Sequence, residues 1–281
     1  MTTNEPIVLS EHRFTAFMRN INDPDMPNVI HRADDARGYG YTSALVGGVT
    51  VYGWCVPAIL EALGEEWLDR GWVEVFFRRP VYPDDRMLVR VTASEAGTNE
   101  LTAENEADGA ICIRGRVGTG DGPWLDQFVL SRRLDPEPAP DNKPALTLDN
   151  APIGQDLRTL GIEMTAAEAR EYAETHQRDS NPLFRGKRPL VHPAAVARQM
   201  MPLLAHSYEY GKPSIHVSSH IQHLARVEAG QQLALTCHFI DAYERKGHHY
   251  AVFDGDLIGE DGRELARLRH TNIFRVARRG S

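Results

Sequence analysis

Long hydrophobic runs are missing from this 281-residue sequence. No stretch approaches the roughly 18 consecutive apolar residues that a membrane-spanning helix requires, and no basic-then-apolar signal stands at its start. We therefore predict a cytoplasmic protein that does not bind membranes. Cysteine is also scarce: Cys55, Cys112 and Cys237 are far apart and lie in apolar runs. This pattern indicates reduced thiols in the core and argues against a disulfide framework.

An excess of positive charge is also absent, since the formal net charge is −8. A general nucleic-acid binder needs a basic face, so we predict no nucleic-acid partner. The sequence has no Gly-x-Ser-x-Gly motif, no P-loop and no dinucleotide fingerprint, and we predict no cofactor. His216 and His220 alternate on one predicted strand but stand about 13 Å apart at 3.3 Å per residue. That separation is too large for one metal ion, and we predict no metal site.

Residues 1–133 show helical patterns followed by strand patterns, as expected for one α+β unit. Phe14 to Ile21 has helical apolar spacing, and Ala33 to Arg37 is a second short helix candidate ended by glycines. Ala44 to Leu63 is apolar and almost uncharged, which predicts a long helix buried nearly all round. The period then changes, and strands are predicted over 72–77, 87–92 and 110–117.

Residues 134–152 are rich in proline and poor in apolar residues, which predicts a semi-extended linker. The second unit, 153–281, repeats the order of the first, with helices over 166–176 and 194–204 and strands over 215–223, 233–240, 250–258 and 265–276. A long apolar helix and a sheet with one apolar face bury each other. The two sheets should join edge to edge, because each alone would leave unpaired strand edges.

The segment from Asp179 to Phe184, followed by His192-Pro193, is the first candidate site. Asx residues and proline form turns, and proline suits the first position of a helix. A carboxylate and an amide beside a helix N-terminus can serve acid–base chemistry or anion binding. The same residues can equally form an ordinary loop that caps the helix.

The Asp-x-Asn-Pro-Leu motif at Asp179–Leu183, before a buried helix in a duplicated unit, resembles the MaoC-type enoyl-CoA hydratases and dehydratases. The resemblance implies an α+β tandem, or double, hotdog fold: two antiparallel sheets, each wrapped round a long buried helix. It covers almost the whole chain in architecture, although the motif match is local. It also implies a hydro-lyase that adds water to, or removes it from, the α,β-bond of an acyl thioester.

The second half departs from the family motif at two places. The family's loop ends in a histidine that acts with the aspartate on water, and Phe184 stands in that position. The family's His-Gly at the helix start supplies a glycine N–H to the thioester carbonyl, and His192-Pro193 replaces it without that N–H. The resemblance still implies Asp179 and His192 as candidate catalytic residues and Asn181 as a candidate substrate-binding residue.

The first half keeps different parts of the family pattern. Gly48, within Leu45-Val46-Gly47-Gly48, matches the helix-start glycine. Asp25 has the place of the family's aspartate, and His31 lies one residue later than the family's histidine, so a one-residue insertion would preserve a catalytic pair. Residues 36–41 resemble the family's segment leading into the helix. The candidate substrate-binding residues of this half are Gly47, Gly48, Tyr39 and Tyr41.

Three functions remain open: the hydratase or dehydratase, a hotdog thioesterase needing a single carboxylate and the helix start, and a non-catalytic acyl-binding protein. The predicted partner is an acyl thioester of coenzyme A or an acyl carrier protein, and a homodimer is a further expectation. The cleaner motif favours the second half as the source of polar chemistry. In that case Asp179, His192 and Gly48 should converge in one cleft, and burial should raise the pKa of Asp179.

Overall fold

Twelve strands form one sheet in a computed structural model that describes residues 6–23, 26–94 and 97–277. Every pairing between these described strands is antiparallel. The strands are β1 Val8–Thr15, β2 Gly71–Phe77, β3 Arg86–Ala93, β4 Thr98–Asn105, β5 Ala110–Thr119, β6 Gln155–Asp156, β7 Leu160–Glu163, β8 Ile215–His223, β9 Gln232–Leu235, β10 His238–Arg245, β11 His248–Gly259 and β12 Glu264–Arg275.

The helices are short, and the buried helical segment of each half consists of two consecutive helices. They are α1 Ala33–Gly38, α2 Gly48–Gly53, α3 Val56–Leu63, α4 Trp67–Arg70, α5 Ala166–Glu171, α6 Pro193–Arg198 and α7 Met200–Ser207. The described residues also form 3-10 turns at Val29–His31, Leu125–Gln127 and Pro182–Phe184, and a π-helical segment at Tyr172–Gln177.

The sheets of the two halves meet edge to edge, as the sequence predicts. The first half contributes the order β1-β3-β4-β5-β2, and the second continues as β8-β12-β11-β10-β6; β9 pairs with β11, and β7 pairs with β9. The junction is the antiparallel pairing of β2 with β8, which runs from Trp72 opposite Gln222 to Phe76 opposite Ser218. The helices α2 and α6 also contact each other, so residues of both halves meet at the centre of the molecule.

The predicted continuous helix from Ala44 to Leu63 is wrong in its start and its continuity. It begins at Gly48 and is interrupted between α2 and α3. Pro57 has no N–H to donate to the carbonyl of Gly53, so the regular hydrogen-bond series stops there. The second half has the same break between α6 and α7, where Pro202 stands at the same distance from the start of its helix as Pro57 does from Gly48.

The predicted helix from Phe14 to Ile21 is wrong, because this part of the chain includes the end of an edge strand. β1 pairs with β3, where Phe14 stands opposite Met87. The rings of Phe14 and Phe17 pack against Trp54, with centroids 4.8 and 5.2 Å away. Pairing with β3 and packing on the buried helix therefore outweigh the local helical spacing.

Two strand predictions needed correction. β4 was missed because it is mostly polar, with Asn99, Leu101 and Ala103 forming its buried face. The single strand predicted over 233–240 is two strands, β9 and β10, separated at Thr236 and Cys237. At this break, the Thr236 hydroxyl accepts a hydrogen bond from the Asp256 N–H at 3.1 Å. The remaining predicted strands and the short helix at Ala33 are confirmed to within a few residues.

Residues 134–152, all described, form no helix or strand and run along the second half. Lys143 Nζ, for example, donates a hydrogen bond to the carbonyl of Ala205 at 2.6 Å. The proposed domain limits, 1–133 and 153–281, stay a prediction. All three cysteines are free and buried, as predicted. No helix within the described residues has the length and apolar character needed to cross a bilayer.

Candidate functional site

A cavity of about 840 Å³ opens at the start of α2 and is lined by residues of both halves. The first half supplies the turn around His31, the residues Leu45 to Val51 and the chain after β2. The second half supplies the π-helical segment, part of α6 and α7, and the beginning of β8. The cavity therefore depends on the contact between the two units, and neither half encloses it alone.

His31 is a titratable residue in the wall of this cavity. Its Nδ1 lies 2.7 Å from the backbone carbonyl of Leu45, and because a carbonyl only accepts, Nδ1 carries the proton. Nε2 then carries no proton and can accept one. Burial lowers the pKa of His31, and the Leu45 carbonyl only partly opposes that effect. The ring is therefore neutral near physiological pH and has the lone pair that a general base needs.

The start of α2 lies beside this imidazole. Gly47 precedes the helix, and a Cβ added there would be 3.7 Å from Cε1 of His31. A Cβ on Gly48 would come within 3.1 Å of the Phe77 ring, so glycine preserves the space between the helix start and that ring. The first N–H groups of a helix have no partner within it and can bind an oxygen atom that carries negative charge.

The other first-half candidates separate into three cases. Tyr41 lines the cavity and packs against the small cluster that contains Ile30 and Leu45. Tyr39 ends α1 and is not among the described residues that line the cavity. Asp25 lies outside the described residues, so its pairing with His31 stays a prediction; Asp23 and Met26 both line the cavity.

The second-half candidates Asp179 and His192 are together, but they are enclosed. His192 Nε2 lies 3.4 Å from Asp179 Oδ2, with side-chain exposures of 0% and 6%. His192 Nδ1 accepts a hydrogen bond from the Ala194 N–H at 3.1 Å, so the imidazole proton is on Nε2 and faces the carboxylate. At 3.4 Å the two atoms do not form a hydrogen bond, and because the pKa of each group is lowered, the carboxylate is ionised and the ring is neutral.

Phe184 packs against the imidazole of this pair. Its ring is fully buried, and its centroid lies 4.7 Å from that of His192. Of the described residues, neither Asp179 nor His192 lines the cavity at Gly48. The expected convergence of Asp179, His192 and Gly48 in one cleft is therefore not observed. Both residues are instead enclosed in the core, where the buried Phe184 ring packs against His192.

The expectation that burial raises the pKa of Asp179 is wrong in its net direction. Burial does act upward, but the nearby His192 ring and the hydrogen bond from the Asn181 N–H outweigh it, and the pKa lies below its usual value. The Asn181 N–H donates to Asp179 Oδ1 at 2.8 Å. Burial lowers the pKa of His192, against the opposing effect of Asp179. A carboxylate held ionised in this way is not poised to exchange protons near neutral pH.

Asn181, predicted to bind substrate, caps the turn that follows it. Its Oδ1 accepts a hydrogen bond from the Leu183 N–H at 3.0 Å, at the start of the 3-10 turn. It is absent from the described lining of the cavity. The Asp179–Phe184 segment thus has the loop-capping geometry that was the second interpretation of its sequence.

His31 also borders a second cavity, of about 1060 Å³, which shares Asn28 and Ser214 with the first. Asn28 Nδ2 donates a hydrogen bond to the carbonyl of Ser214 at 2.8 Å and so ties the first-half turn to the second half. A ligand centred at His31 consequently has room on two sides. Among the described residues, no group of three or more histidines, cysteines and carboxylates could hold a metal ion.

The sequence interpretation missed the second-half residues that line the cavity, including Tyr172, His176, Arg198 and His216. Their positions result from the contact of α2 with α6 and from the pairing of β2 with β8, for which the sequence has no local signal. The alternation of His216 and Ser218 along one strand placed His216 on a sheet face, but did not indicate that the cavity lies against that face.

No protein-family model matches the chain, and a search of curated proteins finds no relative. Solved structures show similarity of fold. A MaoC-like dehydratase aligns with 96% of this chain and 98% of its own, at 12% identity and a TM-score of 0.58. A conserved hypothetical protein of Mycobacterium tuberculosis, described as a double hotdog fold, aligns with 94% and 96%, at 13% and 0.57. An acyl-CoA thioesterase II of Mycobacterium marinum aligns with 81% and 88%, at 13% and 0.51. The chain therefore has the α+β double hotdog fold.

Proposed function

We propose that this protein adds water to, or removes it from, the α,β-bond of an acyl thioester in the cavity at the start of α2. The observation that carries the proposal is the juxtaposition of a neutral imidazole, His31, with the glycine helix start at Gly47 and Gly48. One group is suited to move a proton and the other to hold an oxygen that gains charge. The proteins described above as a dehydratase and as a thioesterase have the same fold.

In the hydration direction, His31 Nε2 removes a proton from water while the water oxygen bonds to the β-carbon. The electron pair of the α,β-bond moves toward the thioester carbonyl, whose oxygen becomes negatively charged. Backbone N–H groups at Gly47 and Gly48 hold that oxygen, and the α-carbon then takes up a proton from the imidazolium. Dehydration is the reverse sequence. Asp25 would orient the water or stabilise the protonated ring, as the family resemblance implies.

The carrier of the acyl group is coenzyme A or an acyl carrier protein. Four arginines with exposed side chains line the cavity: Arg19, Arg78, Arg79 and Arg198. They form a basic rim on a protein whose formal net charge is −8. Such a rim attracts phosphate groups, which both carriers bear. We also propose that the protein is a homodimer and is located in the cytoplasm.

A thioesterase is the second candidate function, since one of the fold neighbours is described as an acyl-CoA thioesterase. The same residues would serve it. His31 would activate water for attack on the carbonyl carbon, and the helix start would hold the oxygen of the tetrahedral intermediate. The two reactions differ in which carbon the water attacks, and therefore in whether a thiol is released.

The test assays a panel of enoyl-CoA and saturated acyl-CoA thioesters for loss of the conjugated double bond and, separately, for free thiol. We expect loss of the double bond without thiol release, and its disappearance in His31→Ala. Thiol release alone would replace the proposal with the thioesterase. Binding of the thioesters with neither product would make the protein an acyl-binding protein.

A further inference from the structure

The cavity wall has a polar side chain near His31 that the proposed reaction does not use. Thr50, the third residue of α2, lines the cavity and is partly exposed, as is His31. The Thr50 hydroxyl makes no hydrogen bond with another described residue, and Oγ1 is not buried. A group that enters the cavity can therefore reach this hydroxyl, which both donates and accepts hydrogen bonds.

The hydroxyl and the imidazole border one space, which opens at Gly47. A Cβ added to Gly47 would lie 3.7 Å from Cε1 of His31 and 3.8 Å from Oγ1 of Thr50. Cε1 is bonded to Nε2, the nitrogen that removes the proton in the proposed reaction. The base and the hydroxyl therefore flank the direction in which a side chain would leave Gly47, and glycine keeps that direction open.

The second half shows what the same positions hold when they serve packing. His192 precedes α6 as Gly47 precedes α2, and its side chain binds the Ala194 N–H. The third residue of α6 is Ala195, which is fully buried and has no polar group in its side chain. The first half thus has an open space and a hydroxyl where the second half has an imidazole and a methyl group. The hydroxyl of Thr50 is not needed for this type of helix start.

We propose that Thr50 is a further catalytic residue, whose hydroxyl binds the oxygen atom that exchanges a proton with His31. That oxygen belongs to the attacking water in hydration and to the β-hydroxyl of the acyl chain in dehydration. The proposal rests on the proposed function for the identity of the ligand. In hydration, the water donates one O–H to His31 Nε2 and the other to Thr50 Oγ1, which leaves an oxygen lone pair for the β-carbon. The proton moves from the water to His31, and Thr50 keeps its own proton throughout.

This role makes Thr50 selective for an oxygen on one carbon of the acyl chain. The β-carbon is two bonds from the thioester carbonyl carbon, whose oxygen the proposed reaction holds at Gly47 and Gly48. An oxygen on the β-carbon therefore stays beside Gly47, between His31 and Thr50. An oxygen on a carbon further along the chain lies away from both side chains.

The test measures binding of unreactive coenzyme A thioethers by calorimetry. Their alkyl chains have equal length and are unsubstituted, hydroxylated at the carbon equivalent to the β-carbon in either configuration, or hydroxylated two carbons further on. The variants are Thr50→Val, which has the same shape without the hydroxyl and a similar helix propensity, and Thr50→Ser, which restores the hydroxyl. Thr102→Val is the matched control, because Thr102 is a partly exposed threonine of β4 that is not among the described residues lining the cavity.

We expect one configuration of the β-hydroxylated ligand to bind about tenfold more tightly than the unsubstituted ligand, the factor expected for one hydrogen bond. Thr50→Val removes most of this preference, Thr50→Ser retains it, and Thr102→Val leaves it unchanged. The ligand hydroxylated further along binds like the unsubstituted one. In turnover, Thr50→Val lowers kcat for hydration about tenfold and leaves KM nearly unchanged, because the enoyl substrate carries no β-oxygen.

A preference for the β-hydroxyl that persists in Thr50→Val, or its absence in the unaltered protein, would overturn the role of Thr50. Equal loss in Thr50→Val and Thr50→Ser would also overturn it, since the hydroxyl would then not be the cause. Because these ligands cannot react, the binding result is independent of turnover. A preference that depends on Thr50, in a protein that does not hydrate enoyl thioesters, would overturn the proposed reaction only. Failure of every ligand to bind the unaltered protein would overturn both proposals.

Discussion

Gly47 and His192 precede α2 and α6 with nearly the same backbone angles, φ −60° and ψ 134° against φ −60° and ψ 137°. The next residue differs: Gly48 has an N–H and no side chain, whereas Pro193 has a ring and no N–H. The histidines differ too. His31 lies in a cavity wall and hydrogen-bonds through Nδ1, while the polar groups beside His192 are an internal backbone N–H and a buried carboxylate.

The same local framework therefore has two uses. In the second half, an imidazole and a carboxylate lie 3.4 Å apart in the core, and the imidazole caps the helix start, which contributes to folding. In the first half, Gly48 keeps its N–H and adds no side chain to the helix start, and His31 lines the same cavity. A helix start becomes a reaction centre only if its polar groups stay unsatisfied within the protein, and the predictions below test that difference.

The largest expected effect is structural and lies in the second half. Phe184→Ala removes a fully buried ring over His192 and should lower the free energy of unfolding by about 3–5 kcal/mol, as for large-to-small changes in a core. Chemical denaturation measures it. The turnover of the remaining folded protein should be nearly unchanged. An equal loss of specific activity per folded molecule would show that the second half takes part in the reaction.

The next largest effect is expected on catalysis. The substitution gives the helix start of the first half the proline that the second half has at Pro193. Gly48→Pro removes the N–H from the helix start, and kcat should fall about 100–1000-fold, the range seen when one oxyanion donor is lost. Gly48→Ala is the control, since it keeps the N–H but adds a Cβ within 3.1 Å of the Phe77 ring. A similar loss in both variants would attribute the effect to crowding and not to the missing donor.

The pH dependence of stability should reflect the buried histidines. Burial lowers the pKa of His192, His216, His223 and His270, so the folded state binds fewer protons than the unfolded state. The contribution of these neutral histidines to the free energy of unfolding is fully present above the ordinary histidine pKa of about 6.5. It is lost as the pH falls from there toward their lowered pKa values. For His223, whose pKa is about 4, the loss between pH 7 and pH 5 is about 2 kcal/mol.

Asp256 acts in the opposite direction, because burial and the nearby Glu264 raise its pKa to about 7. Its contribution to stability falls as the pH rises from about 4 toward 7. Burial also lowers the pKa of His31, so these histidines outnumber Asp256 and we expect a net loss of stability on acidification. His223→Phe should flatten the curve of unfolding free energy against pH between 5 and 7. An unchanged slope in that variant would refute this assignment.

The smallest effect is expected for Asp179→Asn. The amide keeps the oxygen that accepts the Asn181 N–H and loses the charge that faces His192, so stability should fall by about 1 kcal/mol. Turnover should stay within about twofold of the unaltered protein, since Asp179 does not line the cavity. A steady-state assay decides the point, and a loss of turnover without a loss of stability would make Asp179 catalytic.

The duplicated architecture was predictable because each unit repeats one order of patterns. Pro57 and Pro202 also carry a signal that was available, since a proline within a helical pattern interrupts it. β4 was not predictable from periodicity, because only Leu101 and Ala103 mark its buried face as apolar. β1 was mispredicted since pairing with β3 and packing on Trp54, rather than local spacing, determine its form.

The candidate site was predictable only in part, for a related reason. The motif match was better at Asp179 than at His31, but a motif does not report whether its residues face a cavity. The fully buried Phe184 excludes solvent from the second-half pair, and only the packed structure reveals it. His216 reaches the cavity through the pairing of β2 with β8, a contact between halves that no local pattern encodes.

The central claim is that one histidine serves a reaction and the other serves the fold. The direct test measures both kcat/KM for an enoyl thioester and the free energy of unfolding in His31→Ala and in His192→Ala. We predict that His31→Ala loses at least about 100-fold in kcat/KM with little change in stability. His192→Ala should lose about 2 kcal/mol or more of stability, with the folded fraction retaining its activity. Loss of turnover in His192→Ala with His31→Ala still active would contradict the account.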